Sequence, residues 1–218
     1  MTTTLEKQSA ELRPMRLGLW VGLGAVGLVL VALLASVTTY NGLVTLDQAV
    51  KAQWAEVENV YQRRADLVPN LVSTVKGAAD FERDTLTAVT EARARVGQVS
   101  GAAPKNVTED PAAFAQFQKA QDALSSSLSR LMVVVERYPD LHATQNFRDL
   151  QSQLEGTENR ITVARMRFNE SAQAFNARRS SFPTVVLAGL FGLRFSEKPY
   201  FEADRGARTA PVVDFRKP

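Results

Sequence analysis

The stretch Leu43–Val75, LVTLDQAVKAQWAEVENVYQRRADLVPNLVSTV, decides the fold of this chain of 218 residues. Its apolar side chains recur mostly every three or four residues, which is the spacing of one buried stripe on a helix. The members of this stripe are Leu43, Leu46, Val50, Trp54, Val57, Tyr61, Val68, Leu71 and Val75. Because a long amphipathic helix in water must lay its stripe against other helices, this stretch predicts a helical bundle.

Two further helical stripes follow toward the carboxyl terminus. The second holds Phe114, Phe117, Leu124, Leu128, Leu131 and Val135, and the third holds Phe147, Leu150, Leu154, Ile161, Ala164, Phe168, Ala172 and Phe175. The stretch GQVSGAAPKNVTEDP, Gly97–Pro111, predicts a mobile connection, and Pro139 in RYPDL predicts the end of the second helix.

These patterns predict an all-α fold, an antiparallel bundle of three to four long helices preceded by one transmembrane helix. The bundle has four helices if the first stripe breaks near Pro69 or Gly77. A proline within a helix removes one hydrogen bond and costs about 3 kcal/mol unless the backbone bends.

The membrane helix is predicted from Leu17–Val37, LGLWVGLGAVGLVLVALLASV, which carries no charge. At about 1.5 Å per residue this run crosses a hydrocarbon core of roughly 30 Å. A cleaved signal peptide is the alternative, but the run is too long and ends in a poor cleavage site. Gly18 and Gly22 form a small-residue motif that favours close packing of membrane helices.

These boundaries divide the chain into four parts. Residues 1–16 form a tail, 17–40 the transmembrane helix, 41–182 the bundle, and 183–218 an apolar and extended carboxyl-terminal tail. Within that last part, Val185–Leu193 is too short to span a bilayer. It either caps the bundle or contacts the membrane surface or a neighbouring subunit.

The positive charges near the span predict its orientation. Lys7, Arg13 and Arg16 precede it, whereas only Lys51 follows within about 15 residues. This bias predicts a cytoplasmic amino terminus, and a bundle outside the inner membrane of a bacterial cell.

The composition excludes several classes of function. Lys plus Arg number 26 and Asp plus Glu 23, so the net charge is 26 − 23 = +3, and no basic block suited to nucleic acid occurs. Cysteine is absent, which excludes disulfides and thiol chemistry. The one histidine, His142, lies in a turn without partners at metal-ligand spacing. With no phosphate loop and no nucleophile elbow, we expect no enzyme, cofactor or metal site.

Polar residues near the stripes predict structural pairing. Arg64 and Asp66 flank the first stripe, Glu155 and Glu158 flank the last, and Asn169 lies seven residues before Asn176 on the stripe side. Such groups commonly pair across a bundle and fix its register, and a ligand site is the weaker alternative. The residues singled out as a structural motif are Arg64, Asp66, Pro69, Asn70, Glu155, Glu158, Asn159, Arg165 and Asn169.

Several strings make the chain similar to the LemA family of bacterial membrane proteins. The specific ones are RRADLVPNL at Arg63–Leu71 and LEGTENRI at Leu154–Ile161. The resemblance implies one amino-terminal span, a bundle of long helices, no assigned reaction, and a role in organising membranes or their proteins. It also implies the opposite orientation, with the long domain in the cytoplasm.

Two functional hypotheses follow. The first is a non-enzymatic scaffold that self-associates through its span and helices, with membrane lipid and further copies of the chain as partners. The second is an accessory subunit that presents the bundle to a membrane protease, a kinase or an envelope-stress complex. A hydrolase fits the residues least well, and no nucleic acid partner is expected.

Overall fold

The computed structural model describes residues 3–77, 81–102, 107–186 and 195–202, with side chains from residue 19 onward except that of Ala102. The helices are α1 (Thr3–Lys76), α2 (Arg83–Ala102), α3 (Pro111–Val135), α4 (Pro139–His142) and α5 (Gln145–Ser180), with a 3-10 turn at Val107–Glu109. No β-strand occurs in these ranges, which confirms the predicted all-α class.

The described residues form two compact units. One contains the residues up to Thr45 together with those of Arg178–Phe195, and the other contains Leu46–Ala177 together with the residues from Ser196 onward. The second unit, which we call the bundle, holds the later part of α1 and the whole of α2, α3 and α4, with most of α5.

The first amphipathic helix breaks at Gly77 and continues through Pro69. α1 ends at Lys76, and the Gly77 N–H donates to the Thr74 carbonyl at 3.3 Å. Pro69 is exposed between the buried Val68 and the exposed Asn70, so its ring faces away from the core. Because the break lies at Gly77, the described part of the bundle contains four long helices.

The predicted mobile connection at Gly97–Pro111 is wrong for its first part. α2 continues through Gly97 and Gly101 to Ala102. A helical glycine costs about 1 kcal/mol relative to alanine, but burial of Val96 in the core offsets that cost. Later in the same stretch the 3-10 turn buries Val107 and Thr108, and residues 103–106 lie outside the described ranges.

Aspartate and proline mark the amino-terminal ends of α3 and α4. The Asp110 side chain caps α3 by accepting hydrogen bonds from the N–H groups of Ala112 and Ala113, with Pro111 in the first turn. α3 ends at Val135, and Pro139 opens the four-residue α4 instead of only ending the helix before it.

Contacts between rings and between polar atoms give the direction of α3 relative to α1. The Trp54 and Phe117 rings lie 5.0 Å apart, and ten residues further along α1 the Arg64 Nη1 donates to Ser125 Oγ at 2.5 Å. Both helices therefore advance together, and α1 and α3 are parallel.

The other two long helices run the opposite way. Trp54 contacts Phe168 of α5 at 5.6 Å, whereas Arg64 contacts Glu158, which lies earlier in the same helix. α2 starts soon after α1 ends, and the Nε of Arg93 within α2 donates at 2.9 Å to the carbonyl of Ala65, which lies well before the end of α1. α2 therefore runs back along α1. The bundle is therefore up-down-up-down, and neighbours in sequence are antiparallel, as predicted.

The core of the bundle extends along all four helices and α4. One end is mainly aliphatic, with Leu71 and Val75 of α1, Leu86 and Val89 of α2, Leu128 and Leu131 of α3, and Leu141 and Leu154 beyond them, and it also buries the rings of Phe81 and Phe147. The other end is aromatic. Burial of this apolar surface is the main force that holds the helices together.

Candidate functional site

A buried arginine joins three helices in the middle of the bundle. Arg64 of α1 is 1% exposed. Its Nη1 donates to Glu158 Oε1 of α5 at 2.7 Å and to Ser125 Oγ of α3, while its Nη2 donates to Gln121 Oε1 at 2.6 Å and to the Gln121 carbonyl at 3.1 Å. The planar guanidinium suits this geometry because it presents several donors in a fixed fork.

The helical period of α1 places this arginine in the core. Tyr61 lies one turn before Arg64, and the guanidinium stacks over the Tyr61 ring at 4.9 Å from its centroid. Burial raises the pKa of the Tyr61 hydroxyl above its ordinary value, although Arg165 and Arg64 oppose that shift. On α3, Gln121 and Ser125 are four residues apart, so both present polar groups to one face.

This network has the chemistry of a structural joint. The Arg64 guanidinium donates to Glu158, Ser125 and Gln121, and it offers no acceptor atom. Its fork contacts α3 and α5 together, and a role in fixing the register of these helices stays a prediction from its sequence position.

Three other predicted motif residues of α1 lie at the surface. Asp66 is exposed and accepts a hydrogen bond from Gln62 of its own helix at 2.8 Å. Pro69 and Asn70 are also exposed, and the Asn70 carbonyl accepts from the Thr74 hydroxyl at 2.9 Å. The structure thus brings Arg64 into the core and leaves Asp66 outside it.

The predicted acidic cluster of α5 is divided in the same way. Glu158 contacts Arg64, and its side chain remains 46% exposed. Glu155 is exposed and accepts from Gln151 at 3.0 Å, and Asn159 is exposed as well.

The remaining two motif residues hold an extended segment, Ser196–Glu202, which we call the tail segment. The Asn169 Nδ2 donates to the Phe201 carbonyl at 3.0 Å, and its Oδ1 accepts from the Phe201 N–H at 2.9 Å. The Arg165 Nη2 donates to the Glu202 carbonyl at 3.0 Å, and Gln118 of α3 donates to the same oxygen at 3.2 Å.

Asn176 repeats this contact one heptad later on α5. Its Nδ2 donates to the Lys198 carbonyl at 2.9 Å, and its Oδ1 accepts from the Lys198 N–H at 2.9 Å. The same Nδ2 also donates to the Tyr200 hydroxyl at 3.0 Å. Two asparagine amides therefore each satisfy both backbone groups of one residue of the tail segment.

The Lys198 side chain lies in a closed acidic pocket. The residue is 1% exposed, and its Nζ lies 2.7 Å from Asp47 Oδ1, 3.4 Å from Glu109 Oε1 and 5.0 Å from the Phe175 ring centroid. Lys51 reaches Asp47 Oδ2 at 2.8 Å from the other side. Burial alone raises the pKa of the Asp47 carboxyl, but Lys198 and Lys51 outweigh burial and hold that pKa below its ordinary value.

The Phe201 side chain lies in an aromatic pocket. Its ring centroid is 4.7 Å from that of Phe114, 5.5 Å from that of Phe168 and 6.2 Å from that of Trp54. The Arg165 guanidinium covers the outer face at 4.7 Å from the ring centroid. Phe114 and Phe168 lie in the core, as their stripe positions predict.

Sequence reasoning predicted an extended tail over 183–218, packing on the bundle or at an interface, but it did not single out Lys198, Phe201 or the two pockets that hold them. Lys198 and Asp47 are charged and belong to no apolar stripe, and Phe201 lies in a short segment without a helical period. The usable signal was the heptad spacing of Asn169 and Asn176 on the buried side of α5, since an amide there requires a partner.

One helix of the described residues is long and apolar enough to cross a membrane. Within α1, the apolar run from Leu19 is unburied by the rest of the chain, with Leu28 73% exposed. Gly22 has open space around the position of a Cβ, and Gly18 lies one turn earlier on the same helix. This helix is compatible with a single-pass membrane protein.

Only the beginning of the apolar stretch Val185–Leu193 lies within the described ranges. Val185 and Val186 are at least half exposed, and the nearby Phe182 is 84% exposed. Phe195, beyond this stretch, contacts the Tyr40 ring at 5.6 Å, and its carbonyl accepts a hydrogen bond from Arg179 Nε.

No group of three or more His, Asp or Glu side chains able to hold a metal occurs among the described residues. His142, at the end of α4, is exposed, and its ring lies 6.0 Å from that of Phe147. The polar residues that do gather in the bundle contact its own helices and its own tail segment.

The fold and these contacts define a class of protein, namely an up-down-up-down helical bundle whose first helix also carries a stretch able to cross a membrane. The sequence pattern of the LemA family matches residues 53–215, and the chain belongs to the LemA family. The chain is also similar to the magnetosome protein MamQ of Magnetospirillum gryphiswaldense, with 28% identity over 82% of this chain and 75% of that protein. It is 26% identical to magnetosome protein MamQ 2 of Paramagnetospirillum magneticum, over 80% of this chain and 68% of that protein.

Proposed function

We propose that this protein is a non-enzymatic, membrane-anchored scaffold that associates with further copies of itself and organises membrane proteins. The observation that carries the proposal is the use of polar groups that are buried or half-buried in the bundle. Arg64, Asn169 and Asn176 each bond to the chain's own helices or tail segment, so their donors serve to hold a shape. A bundle held in one shape and anchored in a membrane can present a constant surface to other copies and to membrane proteins.

Anchoring in a bacterial inner membrane is the first part of the proposal. It is supported by the unburied apolar run of α1, because apolar side chains in water would be costly over that length. Alkaline carbonate washing of membranes tests it, and the intact chain is expected to stay in the pellet. Release of the intact chain into the supernatant would contradict the anchor.

Orientation is the second part. The excess of Lys7, Arg13 and Arg16 on the amino-terminal side supports a cytoplasmic amino terminus and an extracytoplasmic bundle. Since the chain lacks cysteine, a single Ser100→Cys variant can be labelled in intact cells with an impermeant maleimide. Ser100 is exposed on α2, so accessibility of the residue does not limit the reaction.

Labelling of Ser100→Cys in intact cells supports the proposed orientation. A Ser9→Cys variant, on the other side of the span, is the matched control and should be labelled only after the cells are lysed. The reverse pattern for the two variants would place the bundle in the cytoplasm.

Self-association is the third part. Gly18 and Gly22 support it, because small residues one turn apart let two membrane helices approach closely. The similarity to relatives named as magnetosome proteins also supports a role in assembly for this chain. Light scattering of the detergent-solubilised chain, with and without added lipid, should give a mass above that of one chain. A strict monomer under both conditions would refute self-association.

A second candidate function is an accessory subunit that presents the bundle to a membrane protease, a kinase or an envelope-stress complex. A half-open cavity of about 610 Å³ favours it, lined by Thr74, Gly77, Arg137, Tyr138 and Leu141 among others. Crosslinking from this cavity in native membranes, with Thr144 replaced by a photoreactive residue, should then capture one defined membrane protein. Recovery of only this chain would leave the scaffold as the better account.

A further inference from the structure

The spacing of Asn169 and Asn176 matches the repeat of an extended peptide. Seven residues of α5 cover about 10.5 Å at 1.5 Å per residue. Three residues of extended chain, from Lys198 to Phe201, cover about 10 Å. The two amides can therefore bond residues i and i+3 of any extended segment that lies antiparallel to α5.

The hydrogen bonds of the two asparagine amides contact only the backbone of the tail segment, so they do not distinguish one sequence from another. Sequence selectivity must come from the two pockets. Each amide meets one N–H and one carbonyl, which every residue except proline offers. The pocket at Lys198 is lined by Asp47 and Glu109 and therefore selects a cation. The aromatic pocket at Phe201 selects a flat apolar ring.

A fully buried lysine indicates recognition by a dedicated pocket. Lysine is almost never fully buried unless its ammonium is paired, because desolvation of the charge is costly. The surface of α5 between Asn176 and Asn169, together with the two pockets, forms a groove that holds the tail segment. Two carboxylates offset the desolvation cost at one end of this groove, and Arg165 and Gln118 bind the Glu202 carbonyl at the other. The groove therefore matches an extended Lys-x-x-Phe segment, because it offers carboxylates to the lysine, aromatic rings to the phenylalanine and amide groups to the backbone of both residues.

We propose that this groove also binds the Lys198–Phe201 segment of a second copy, so that copies exchange their tail segments. The contacts made in exchange are the same as those within one chain, so exchange costs little beyond bringing two copies together. Anchoring in one membrane would raise the local concentration of copies. This inference rests on the self-association proposed above and names the contact that links the copies.

Two complementary variants test the exchange. The tail variant, Lys198→Ala with Phe201→Ala, removes the two side chains that fill the pockets and keeps the groove. The groove variant, Asn169→Ala with Asn176→Ala, keeps the tail segment and removes its backbone partners. Each also carries Ser100→Cys for a donor or acceptor dye, and energy transfer is measured between full-length chains in lipid vesicles.

The tail variant mixed with the groove variant should show at least about tenfold stronger association than either variant with itself, since only the mixed pair has one intact groove and one intact segment. The groove variant paired with itself lacks the amide hydrogen bonds, and the tail variant paired with itself lacks the ammonium and the ring, so each loses one side of the contact. Equal association in all pairs would overturn the exchange and leave self-association through the span intact. Absence of association in every pair, wild type included, would overturn both.

Peptide binding provides a measurement that does not depend on assembly. A fluorescent peptide FSEKPYFE, the sequence of Phe195–Glu202, should bind the detergent-solubilised tail variant about tenfold more tightly than the wild-type chain, whose groove is occupied. The peptide FSEAPYAE should not bind. Asn159→Ala, at an exposed position of α5, is the matched control and should leave binding to the tail variant unchanged.

Circular dichroism checks that the variants keep the helical fold. If the double tail variant loses helix, Phe201→Ala alone empties the aromatic pocket and takes its place in both experiments. Failure of FSEKPYFE to bind a folded tail variant would show that the tail segment is held only because it belongs to the same chain, and would overturn the proposal.

Discussion

At the scale of single residues, two buried cations define the bundle. Arg64 lies among three helices, and Lys198 lies between Asp47 and Glu109. The sequence placed both Arg64 and Asp66 beside the first stripe, and the structure buries only Arg64, one turn beyond Tyr61. Nothing local predicted Lys198, because its partners are about 90 and 150 residues away in sequence.

Replacement of Arg64 should be the costliest single change in the middle of the bundle. Arg64→Ala leaves the buried Gln121 amide without its partner, so the free energy of unfolding should fall by about 3 kcal/mol. Arg64→Lys should recover only part of this loss, since an ammonium lacks the planar fork. Urea unfolding of the detergent-solubilised chain, followed by circular dichroism, measures both.

The adjacent Arg63 provides the matched control for Arg64. Arg63 is exposed, so Arg63→Ala should change stability by no more than about 0.5 kcal/mol. Equal effects of the two alanine variants would show that the three-helix joint contributes little.

The charge cluster at Asp47 should make stability depend on pH in acid. Burial raises the pKa of Asp47, but Lys198 and Lys51 outweigh it, so the folded-state pKa lies below the ordinary 3.8. Near pH 4 the unfolded chain then binds more protons than the folded chain. The stabilisation is complete above that pH and is lost as the pH falls through the lower folded-state pKa.

Asp47→Asn tests this dependence. Its deficit in unfolding free energy relative to wild type should be largest near neutral pH and should narrow below pH 4, as measured by urea unfolding across that range. Asp84→Asn, at an exposed position, controls for the loss of one carboxylate. A deficit of Asp47→Asn that stays constant from pH 7 to pH 2 would contradict the coupling to the two lysines.

At the scale of elements, the helix boundaries depend on which side chains reach the core. Pro69 does not end α1 because its flanking stripe residues, Val68 and Leu71, are buried. Gly97 and Gly101 do not end α2 because Val96 is buried there. Composition marked these positions as breaks or bends, and tertiary contacts overrode composition.

Glycines inside exposed helix faces offer a test of this account. Gly97 of α2 and Gly156 of α5 have no atom near the position of a Cβ. Gly97→Ala and Gly156→Ala should each raise the unfolding free energy by about 0.5 to 1 kcal/mol, because alanine loses less backbone entropy in a helix.

Gly77 is the contrasting position, since a Cβ there would lie 3.3 Å from the Thr74 carbonyl oxygen. Gly77→Ala should bring no such gain in the same thermal or urea unfolding experiment. A loss of stability in Gly97→Ala would mean that α2 does not continue through residue 97.

At the scale of the whole molecule, the question is what the chain assembles into. We propose two independent contacts between copies, one through the span and one through the tail segment. The span would bring helices together through Gly18 and Gly22, and the tail segment would link bundles through the groove on α5.

The face of the span that carries Gly22 should control association within the membrane. Gly22→Leu adds a bulky side chain to the face shared with Gly18 and should lower energy transfer between labelled chains in vesicles several-fold. Gly27 has similarly open surroundings but lies five residues away, on another face of the helix. Gly27→Leu should therefore leave energy transfer near the wild-type value, and equal losses in both variants would refute a specific face.

The sequence by itself determined the all-α class, the long apolar run of α1 and the stripes that form the core, because helical periodicity and hydropathy are local properties of a chain. It also singled out Arg64, Glu158 and Asn169 as polar residues on or beside buried faces. Only the tertiary structure decided that Asp66 and Asn159 lie at the surface, that the break falls at Gly77, and that an extended tail segment is bound along α5. Those outcomes depend on groups far apart in sequence, whose burial and pairing exist only after the helices have packed.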